Sequence, residues 1–182
     1  AKPNQDIILT KPLGNGILIT AAKNSNINLS DYPNGISYML ELNKSASEVA
    51  KEFKVKACTD VTGYGLIGHL KNILNASKIS AKLNFSDIPL IEGLLEISIE
   101  ENWSSGAINN EKYFNTNITW NNSLKNSEKM ILFDPQTSGG LLFTVDKDKS
   151  KDFQKKLSEN KNLVVRKIGE TIKKSNQEIE FA

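Results

Sequence analysis

A glycine-rich segment after a short apolar run carries the side chains best suited to binding phosphate and a metal ion. Residues 55–60 form a predicted strand that ends at Asp60, and a turn over 61–65 leads into a predicted helix over 66–75. A carboxylate placed there can bind Mg²⁺, while the N–H groups of the helix N-terminus bind phosphate oxygens. The alternative is structural: Asp60 or Thr62 caps the helix, and the glycines allow close packing. The residues alone leave both interpretations open.

The same segment contains the spacing G-x-G-x-x-G at Gly63, Gly65 and Gly68. A strand precedes it, a helix follows, and Asp87 lies about 20 residues further on, as in a dinucleotide-binding fingerprint. In that fingerprint, however, the first glycine directly follows the strand, whereas here residues 60–62 intervene and place an acid near the pyrophosphate. The rest of the chain also lacks the further β-α units. The sequence therefore disfavours a nicotinamide cofactor.

A second segment combines hydroxyl side chains with glycines in a way that is compatible with an anion-binding turn. It follows an apolar run over residues 130–133, interpreted as a strand, and reads Asp134-Pro135-Gln136-Thr137-Ser138-Gly139-Gly140. Its hydroxyl and N–H groups could form an anion nest. A structural turn that lets two backbones pass closely is at least as well supported, because the glycines lead straight into a strand.

The remaining candidate residues are isolated. Cys58 adjoins an apolar strand and is interpreted as a small core residue, and His69 as a packing or hydrogen-bonding residue. Trp103 and Trp120 are expected to cover the core or to mark an interface. One cysteine and one histidine are too few for a zinc site, and neither a Ser-His-Asp set nor a P-loop is present. Taken alone, the chain does not contain a complete active site.

Hydrophobic periodicity predicts the elements that must position these residues. Ser45 and Glu48 have the spacing of a capping box, and an apolar helical face follows them. Residues 103–128 are polar and rich in asparagine, which favours a long loop with at most a short helix. Strands are predicted at 7–10, 55–60, 79–85, 141–145, 163–168 and 179–181, and helices at 17–23, 36–42, 45–53, 66–75, 90–99 and 149–159. This order favours an α/β or α+β sandwich built on one mixed sheet.

Length and composition exclude several classes of protein. The chain has 182 residues, enough for a single domain over 1–182, and 38% hydrophobic with 24% charged residues is typical of a globular protein. No apolar stretch is long enough to span a bilayer, and residues 1–6 do not resemble a signal peptide. The 23 basic and 21 acidic residues include one arginine, Arg166, which argues against nucleic-acid binding. A single cysteine suits the reducing cytoplasm.

Four strings of residues together resemble the selenophosphate synthetases, also called selenide, water dikinases. They are Thr10-Lys11-Pro12-Leu13-Gly14-Asn15-Gly16, Leu42-Asn43-Lys44, Cys58-Thr59-Asp60-Val61-Thr62-Gly63-Tyr64-Gly65-Leu66-Ile67-Gly68-His69-Leu70 and Asp134-Pro135-Gln136-Thr137-Ser138-Gly139-Gly140-Leu141-Leu142. The resemblance runs the length of the chain but covers only the C-terminal domain of that family. It implies a PurM-like fold, similar to the second domain of aminoimidazole ribonucleotide synthetase: a mixed, mainly antiparallel sheet covered by helices and partly ferredoxin-like.

The resemblance also implies an activity and a role for one residue. The family converts ATP, selenide and water into selenophosphate, phosphate and AMP. Asp60 matches the metal ligand that the C-terminal domain contributes to the Mg²⁺-ATP site between domains, with Thr59, Thr62 and Gly63 positioning it. Cys58 does not match the family's reactive cysteine or selenocysteine, which belongs to an N-terminal domain absent here. Residues 104–109 depart from the family's Pro-Gly-Gly loop, so the conformation of that loop is an open question.

The expected partners follow from the same resemblance. They are ATP, selenide and the N-terminal domain, with a homodimer expected for the intact enzyme and an inactive monomer for this chain alone. Two alternatives stay open. The chain could belong to another ATP-dependent synthetase or maturation factor of the same superfamily, or it could be a non-catalytic binding module.

Overall fold

The computed structural model describes residues 1–182 as seven β-strands, eight α-helices and three short 3-10 helices. The strands are β1 (Gln5–Leu9), β2 (Ala57–Asp60), β3 (Ser80–Leu83), β4 (Ile118–Thr119), β5 (Leu141–Asp146), β6 (Arg166–Ile172) and β7 (Ile179–Phe181). The α-helices are α1 (Asn15–Lys23), α2 (Pro33–Leu40), α3 (Lys44–Glu52), α4 (Gly65–Ser77), α5 (Leu94–Ile97), α6 (Ser105–Phe114), α7 (Asn126–Phe133) and α8 (Lys147–Leu157). The 3-10 helices span Leu29–Asp31, Phe85–Asp87 and Glu100–Asn102.

All seven strands form one mixed sheet in the order β2-β5-β1-β6-β3-β7-β4. The first four neighbouring pairs are antiparallel, and the last two, β3 with β7 and β7 with β4, are parallel. The sheet is therefore mixed and mainly antiparallel, as the sequence predicted. β2 lies at one edge of the sheet and pairs only with β5, so the segment that ends at Asp60 has one open side.

The centre of the sheet is buried on both faces because its strands alternate their side chains between two cores. In β1, Ile7 and Leu9 belong to a core cluster of 28 buried residues, whereas Ile8 belongs to a cluster of 9 on the opposite face. Helices α1, α4 and α7 supply the larger cluster, and α3 and α8 supply the smaller one. The molecule is thus a sandwich of one sheet between helices, which confirms the predicted fold class.

Several predicted elements differ from the structure. Residues 103–128 are not a long loop, because α6 occupies ten of them and a short strand follows. Residues 130–133 form the last turn of helix α7 rather than a strand. Of the predicted helix at 90–99, only α5 is helical, and the strand predicted at 163–168 begins at Arg166. These corrections remove the strand expected at 130–133 and add the short strand β4 and the two helices α6 and α7.

The predicted capping box at the start of α3 does not form. The N-cap is Asn43, two residues before Ser45, and its side chain does not cap the helix. Ser45 lies inside the first turn, where its Oγ accepts a hydrogen bond from Nδ2 of Asn160 at 2.8 Å. No helix of the protein is both long enough and apolar enough to cross a membrane.

Candidate functional site

Asp60 is the last residue of the edge strand β2 and lies directly before the loop that opens α4. Its neighbour in β5 is Leu141, and along β2 the side chains of Cys58 and Asp60 are exposed while Thr59 is half-buried toward α4. Thr59 Oγ1 donates to the backbone carbonyl of Asp60 at 3.1 Å, whereas the Asp60 carboxylate has no partner within the chain. The carboxylate is therefore exposed and free to bind an external group.

The loop from Val61 to Tyr64 is held in place by other segments. The Val61 N–H donates to the carbonyl of Gly140 at 2.9 Å, and the N–H of Gln136 donates to the carbonyl of Thr62 at 3.0 Å. From α6, Asn110 Nδ2 donates to the carbonyl of Gly63 at 2.8 Å. The hydrogen bonds come from two separate parts of the chain, so they fix the backbone that directly follows Asp60.

His69 connects the two threonines that flank Asp60. Its Nε2 lies 3.2 Å from Thr62 Oγ1 and accepts the Tyr64 N–H at 3.4 Å, while its Nδ1 lies 3.5 Å from Thr59 Oγ1. An Nε2 that accepts an N–H cannot carry the proton, which assigns the proton of the neutral ring to Nδ1. Burial lowers the pKa of His69, and the charge of Asp60 opposes that shift. His69 is thus a hydrogen-bonding residue, as predicted.

The structural alternative was that Asp60 or Thr62 caps α4, and this part of it is wrong. The N-cap of α4 is Tyr64, and no side chain caps this helix. Close packing does explain two of the three glycines. Gly65 has a φ of +66°, and a Cβ there would lie 2.7 Å from the Phe133 backbone, while a Cβ at Gly68 would lie 2.6 Å from Tyr64. A Cβ at Gly63 would meet nothing within 4 Å, so that position beside the carboxylate is open.

The topology also excludes the dinucleotide-binding fingerprint. In that fold the strand before the glycines and the strand after the helix run parallel in one sheet, with the ligand at their carboxyl ends. Here β2 is an edge strand antiparallel to β5, and the strands β5, β1 and β6 separate β2 from β3. The glycine spacing is therefore a feature of local packing.

The segment from Asp134 to Gly140 has a structural role, because its side chains hold the N-terminus of α1. Asp134 Oδ2 accepts the N–H groups of Gly16 and Ile17 at 3.0 and 3.1 Å, and Gln136 Oε1 accepts that of Gly14 at 3.1 Å. These donors are the free backbone groups at the N-terminus of α1, which would otherwise be available to an anion.

Asp134 itself is fully buried, and burial raises the pKa of its carboxyl to about 7, opposed by the N–H groups that it accepts. Sequence reasoning missed this capping role because 118 residues separate Asp134 from Gly16. No local spacing rule connects positions so far apart.

Lys11 and Asn43 are two further residues that sequence reasoning did not single out. Lys11 is buried, and its Nζ donates to the carbonyls of Glu41 and Ser138 at 2.7 and 2.8 Å. Asn43 Nδ2 donates to the carbonyl of Gly139 at 2.9 Å. Both belong to strings that carried the resemblance, and both contact the turn that holds the loop after Asp60.

Other predicted residues fall in ordinary structural positions. Trp103 and Trp120 pack against the larger core, and Trp120 stacks on Phe181 with ring centroids 4.8 Å apart, which confirms that they cover the core. Cys58 is exposed, so its interpretation as a core residue is wrong. Partial burial of the sulfur and the charge of Asp60 raise the pKa of its thiol to about 11, which leaves little thiolate near neutral pH.

Residues 104–109, where the loop conformation was open, begin helix α6. Ser104 is the N-cap and its Oγ accepts the Ala107 N–H at 3.1 Å. A Cβ at Gly106 would lie 2.8 Å from Pro135, so the start of this helix packs on the second glycine-rich segment.

The chain offers a single carboxylate to a metal ion at this site. No group of three or more histidine, cysteine, aspartate or glutamate side chains is arranged to hold a metal. Mg²⁺ commonly takes six oxygens and binds proteins through one or two carboxylates together with substrate phosphates and water. One exposed, unpaired carboxylate fits such a shared site and does not fit a site built from this chain alone.

Comparison with known proteins identifies relatives of the whole chain. The family model for AIR synthase related protein, C-terminal domain, matches residues 2–181. The chain is 39% identical over 166 residues to a selenide, water dikinase of Caldanaerobacter subterraneus subsp. tengcongensis, covering 90% of this chain and 46% of that protein. A selenide, water dikinase of Campylobacter jejuni is 39% identical over 176 residues, covering 95% and 49%. The chain thus spans about half the length of the curated relatives it matches.

Solved structures share the fold at low sequence identity. A thiamine-monophosphate kinase from Stenotrophomonas maltophilia K279a has a TM-score of 0.66 and 19% identity, covering 100% of this chain and 51% of that one. The hydrogenase maturation protein HypE in complex with ATP has a TM-score of 0.60 and 15% identity, covering 100% and 49%. Each of these matches also extends over about half of the other chain.

Proposed function

The chain belongs to the AIR synthase related proteins as their C-terminal domain, and we propose that it is the C-terminal half of a selenide, water dikinase. The intact enzyme would convert ATP, selenide and water into selenophosphate, phosphate and AMP. The observation that carries this proposal is the 32–39% identity to selenide, water dikinases over nearly the whole chain. The kinases and maturation proteins with the same fold are far less similar in sequence.

In this proposal Asp60 is the ligand that the chain provides to Mg²⁺ bound to ATP. Its exposure, its lack of an internal partner and its position at the end of an edge strand support that role. The remaining ligands would come from phosphate oxygens, water and residues outside this chain. When bound, Mg²⁺ neutralises part of the charge on the phosphate oxygens.

The rest of the site orients that carboxylate. The hydrogen bonds from Gln136 and Asn110 hold the loop carbonyls, and His69 holds Thr59 and Thr62 on either side of Asp60. A ligand fixed before the metal arrives loses little conformational entropy on binding, which favours a defined coordination geometry. The loop is therefore a rigid support for one carboxylate.

The proposal extends to partners and location. The intact enzyme would contain an N-terminal domain that carries most of the ATP-binding residues, and it would be a homodimer, whereas this chain alone would be an inactive monomer. A single exposed cysteine and a reduced selenium substrate suit the reducing cytoplasm.

The experiment that tests the activity measures the selenide dependence of ATP cleavage by the full-length protein. With Mg²⁺ and ATP present, we expect AMP and phosphate to form only when selenide is added, and phosphorus NMR to detect selenophosphate. The 182-residue chain alone is the control and should produce no AMP. ATP cleavage that ignores selenide would contradict the proposal and favour another ATP-dependent enzyme of the superfamily.

A further inference from the structure

The turn formed by residues 138–140 is the direct support of the loop after Asp60. A Cβ added at Gly139 would lie 2.0 Å from the Val61 carbonyl oxygen, so the two backbones are in close contact. One residue further on, the Gly140 carbonyl accepts the Val61 N–H, and Leu141 then pairs with Asp60 across the strands. Any movement of this turn therefore moves the backbone that carries the carboxylate.

Two side chains hold this turn from its other side. Nζ of Lys11 donates to the carbonyl of Ser138 at 2.8 Å, and Nδ2 of Asn43 donates to the carbonyl of Gly139 at 2.9 Å. Ser138 has a φ of +48°, in the left-handed region that a residue with a side chain occupies only at a cost in energy. A strained residue keeps such a conformation when its surroundings fix it, and here two consecutive carbonyls are fixed by donors.

The burial of Lys11 indicates that its ammonium is used within the molecule. Only 2% of its surface is exposed, and burying an ammonium costs free energy unless hydrogen bonds compensate for the lost water. No carboxylate forms a salt bridge with Lys11. Its Nζ donates instead to two backbone carbonyls, that of Ser138 and, at 2.7 Å, that of Glu41 directly after α2. Lys11 therefore joins the turn to a separate part of the fold.

We propose that Lys11 and Asn43 act as a clamp that positions Asp60, by fixing the carbonyls of residues 138 and 139 against the loop that begins at Val61. They are positioning residues and do not touch the substrate. The proposal rests on the proposed role of Asp60 as a metal ligand. It adds that the position of the Asp60 carboxylate depends on two residues on the opposite side of the turn.

The test uses the full-length protein with the variants Lys11→Met and Asn43→Ala. Lys11→Met removes the ammonium and keeps most of the volume. The control is Lys71→Met, because Lys71 is also buried and donates from Nζ to the carbonyl of Thr116, beside its ion pair with Glu178. Lys71 lies on α4, but both of its partners lie next to β4 and β7, at the edge of the sheet opposite β2. If Lys11→Met does not fold, the test uses Asn43→Ala alone, because Asn43 is only half-buried.

Two measurements are made on each variant. Hydrogen–deuterium exchange of the peptide covering residues 57–64 reports on the loop, and the Mg²⁺ concentration that gives half-maximal AMP formation reports on the ligand. We expect the clamp variants to increase exchange of this peptide by about tenfold over the Lys71→Met control. We also expect the half-maximal Mg²⁺ concentration to rise several-fold, with a smaller change in the rate at saturating Mg²⁺.

The outcomes separate this inference from the proposed function. Exchange at residues 57–64 equal to that of the Lys71→Met control would overturn the clamp, whatever happens to activity. Faster exchange with an unchanged Mg²⁺ dependence would mean that the clamp holds the loop without affecting Mg²⁺ binding, and would overturn the positioning role. The proposed function fails separately, if Asp60→Ala leaves the activity of the full-length protein near normal.

Discussion

Asp134 and Asp60 are two aspartates in glycine-rich segments with opposite environments. Asp134 is fully buried and accepts three hydrogen bonds on a single oxygen, from Gly16, Ile17 and Gln136. Asp60 is exposed and its carboxylate has no partner. The buried residue stabilises a helix N-terminus, whereas the exposed one is available to a ligand. Residue type and nearby glycines alone do not distinguish these roles, because the distinction depends on which distant backbone groups approach each carboxylate.

The pH dependence of stability provides a test of the role of Asp134. Its pKa of about 7 in the folded protein lies above its ordinary value of 3.8, so the folded state binds more protons than the unfolded state between these values. The stabilisation from protonated Asp134 is therefore complete below about pH 4 and is lost as the pH rises through 7. Asp134→Asn removes this dependence. Its amide oxygen can still accept the three hydrogen bonds, because the second carboxylate oxygen has no partner.

The measurement is urea unfolding of the wild type and of Asp134→Asn from pH 4 to pH 8. As the pH rises, the free energy of unfolding of the wild type should fall relative to that of the variant by up to about 4 kcal/mol. Parallel pH profiles for the two proteins would show that Asp134 has an ordinary pKa in the folded state.

At the scale of single residues, the sequence predicted the features that depend on local order along the chain. It placed Asp60 at the end of a strand and His69 in a hydrogen-bonding position, and the structure agrees with both. It misplaced Cys58 in the core. Side chains of a strand alternate between the two faces of the sheet, and a side chain is buried only where a helix covers its face. Near Cys58 the helices of the smaller core do not cover the edge strand.

At the scale of elements, two helices were missed for different physical reasons. Helix α6 is rich in asparagine, which has a low helix propensity, and it is stabilised by burial of Ala107 and Asn110. Asn110 donates to the carbonyls of Gly63 and Phe133, contacts that no local pattern could predict. For α7, four consecutive apolar residues fit a buried strand or a buried helix equally well by periodicity.

The contact between the second glycine-rich turn and the loop after Asp60 provides a prediction at this scale. A Cβ at Gly139 would lie 2.0 Å from the Val61 carbonyl oxygen, so Gly139→Ala must separate the two backbones. We expect it to lower the free energy of unfolding by about 1–3 kcal/mol. The matched control is Gly63→Ala, where a Cβ meets nothing within 4 Å.

Urea unfolding of the 182-residue chain measures both glycine variants. The control should stay within about 0.5 kcal/mol of the wild type. Equal stabilities for the two variants would show that the close contact between the turn and the loop is not needed for folding.

At the scale of the whole molecule, the mixed order of strands and helices allowed the sandwich to be predicted, whereas the order of strands within the sheet could not be predicted. Alternation along the central strand couples the two cores, because β1 gives Ile8 to the smaller core and its neighbours Ile7 and Leu9 to the larger one. Order in a sheet depends on contacts between distant segments, such as β1 with both β5 and β6, and no pattern within a strand specifies them.

Coupling of the two cores predicts a single unfolding transition. Trp103 and Trp120 pack only against the larger core, so their fluorescence reports on that face, whereas Phe153 is fully buried in the smaller one. Phe153→Leu should destabilise the protein by about 1–2 kcal/mol and shift the tryptophan fluorescence and far-ultraviolet circular dichroism transitions together. A fluorescence transition left unchanged by this substitution would mean that the two cores unfold separately.

The measurement that tests the account most directly compares Asp60→Ala with Asp87→Ala in the full-length protein. Both residues are exposed aspartates without a salt bridge, but Asp87 lies in a 3-10 helix after β3, away from the edge strand. The assay is selenide-dependent AMP formation over a range of Mg²⁺ concentrations, with circular dichroism to show that both variants fold. We predict that Asp60→Ala abolishes the activity and that Asp87→Ala retains it. A near-normal rate for a folded Asp60→Ala protein would remove Asp60 from the metal site and contradict the account.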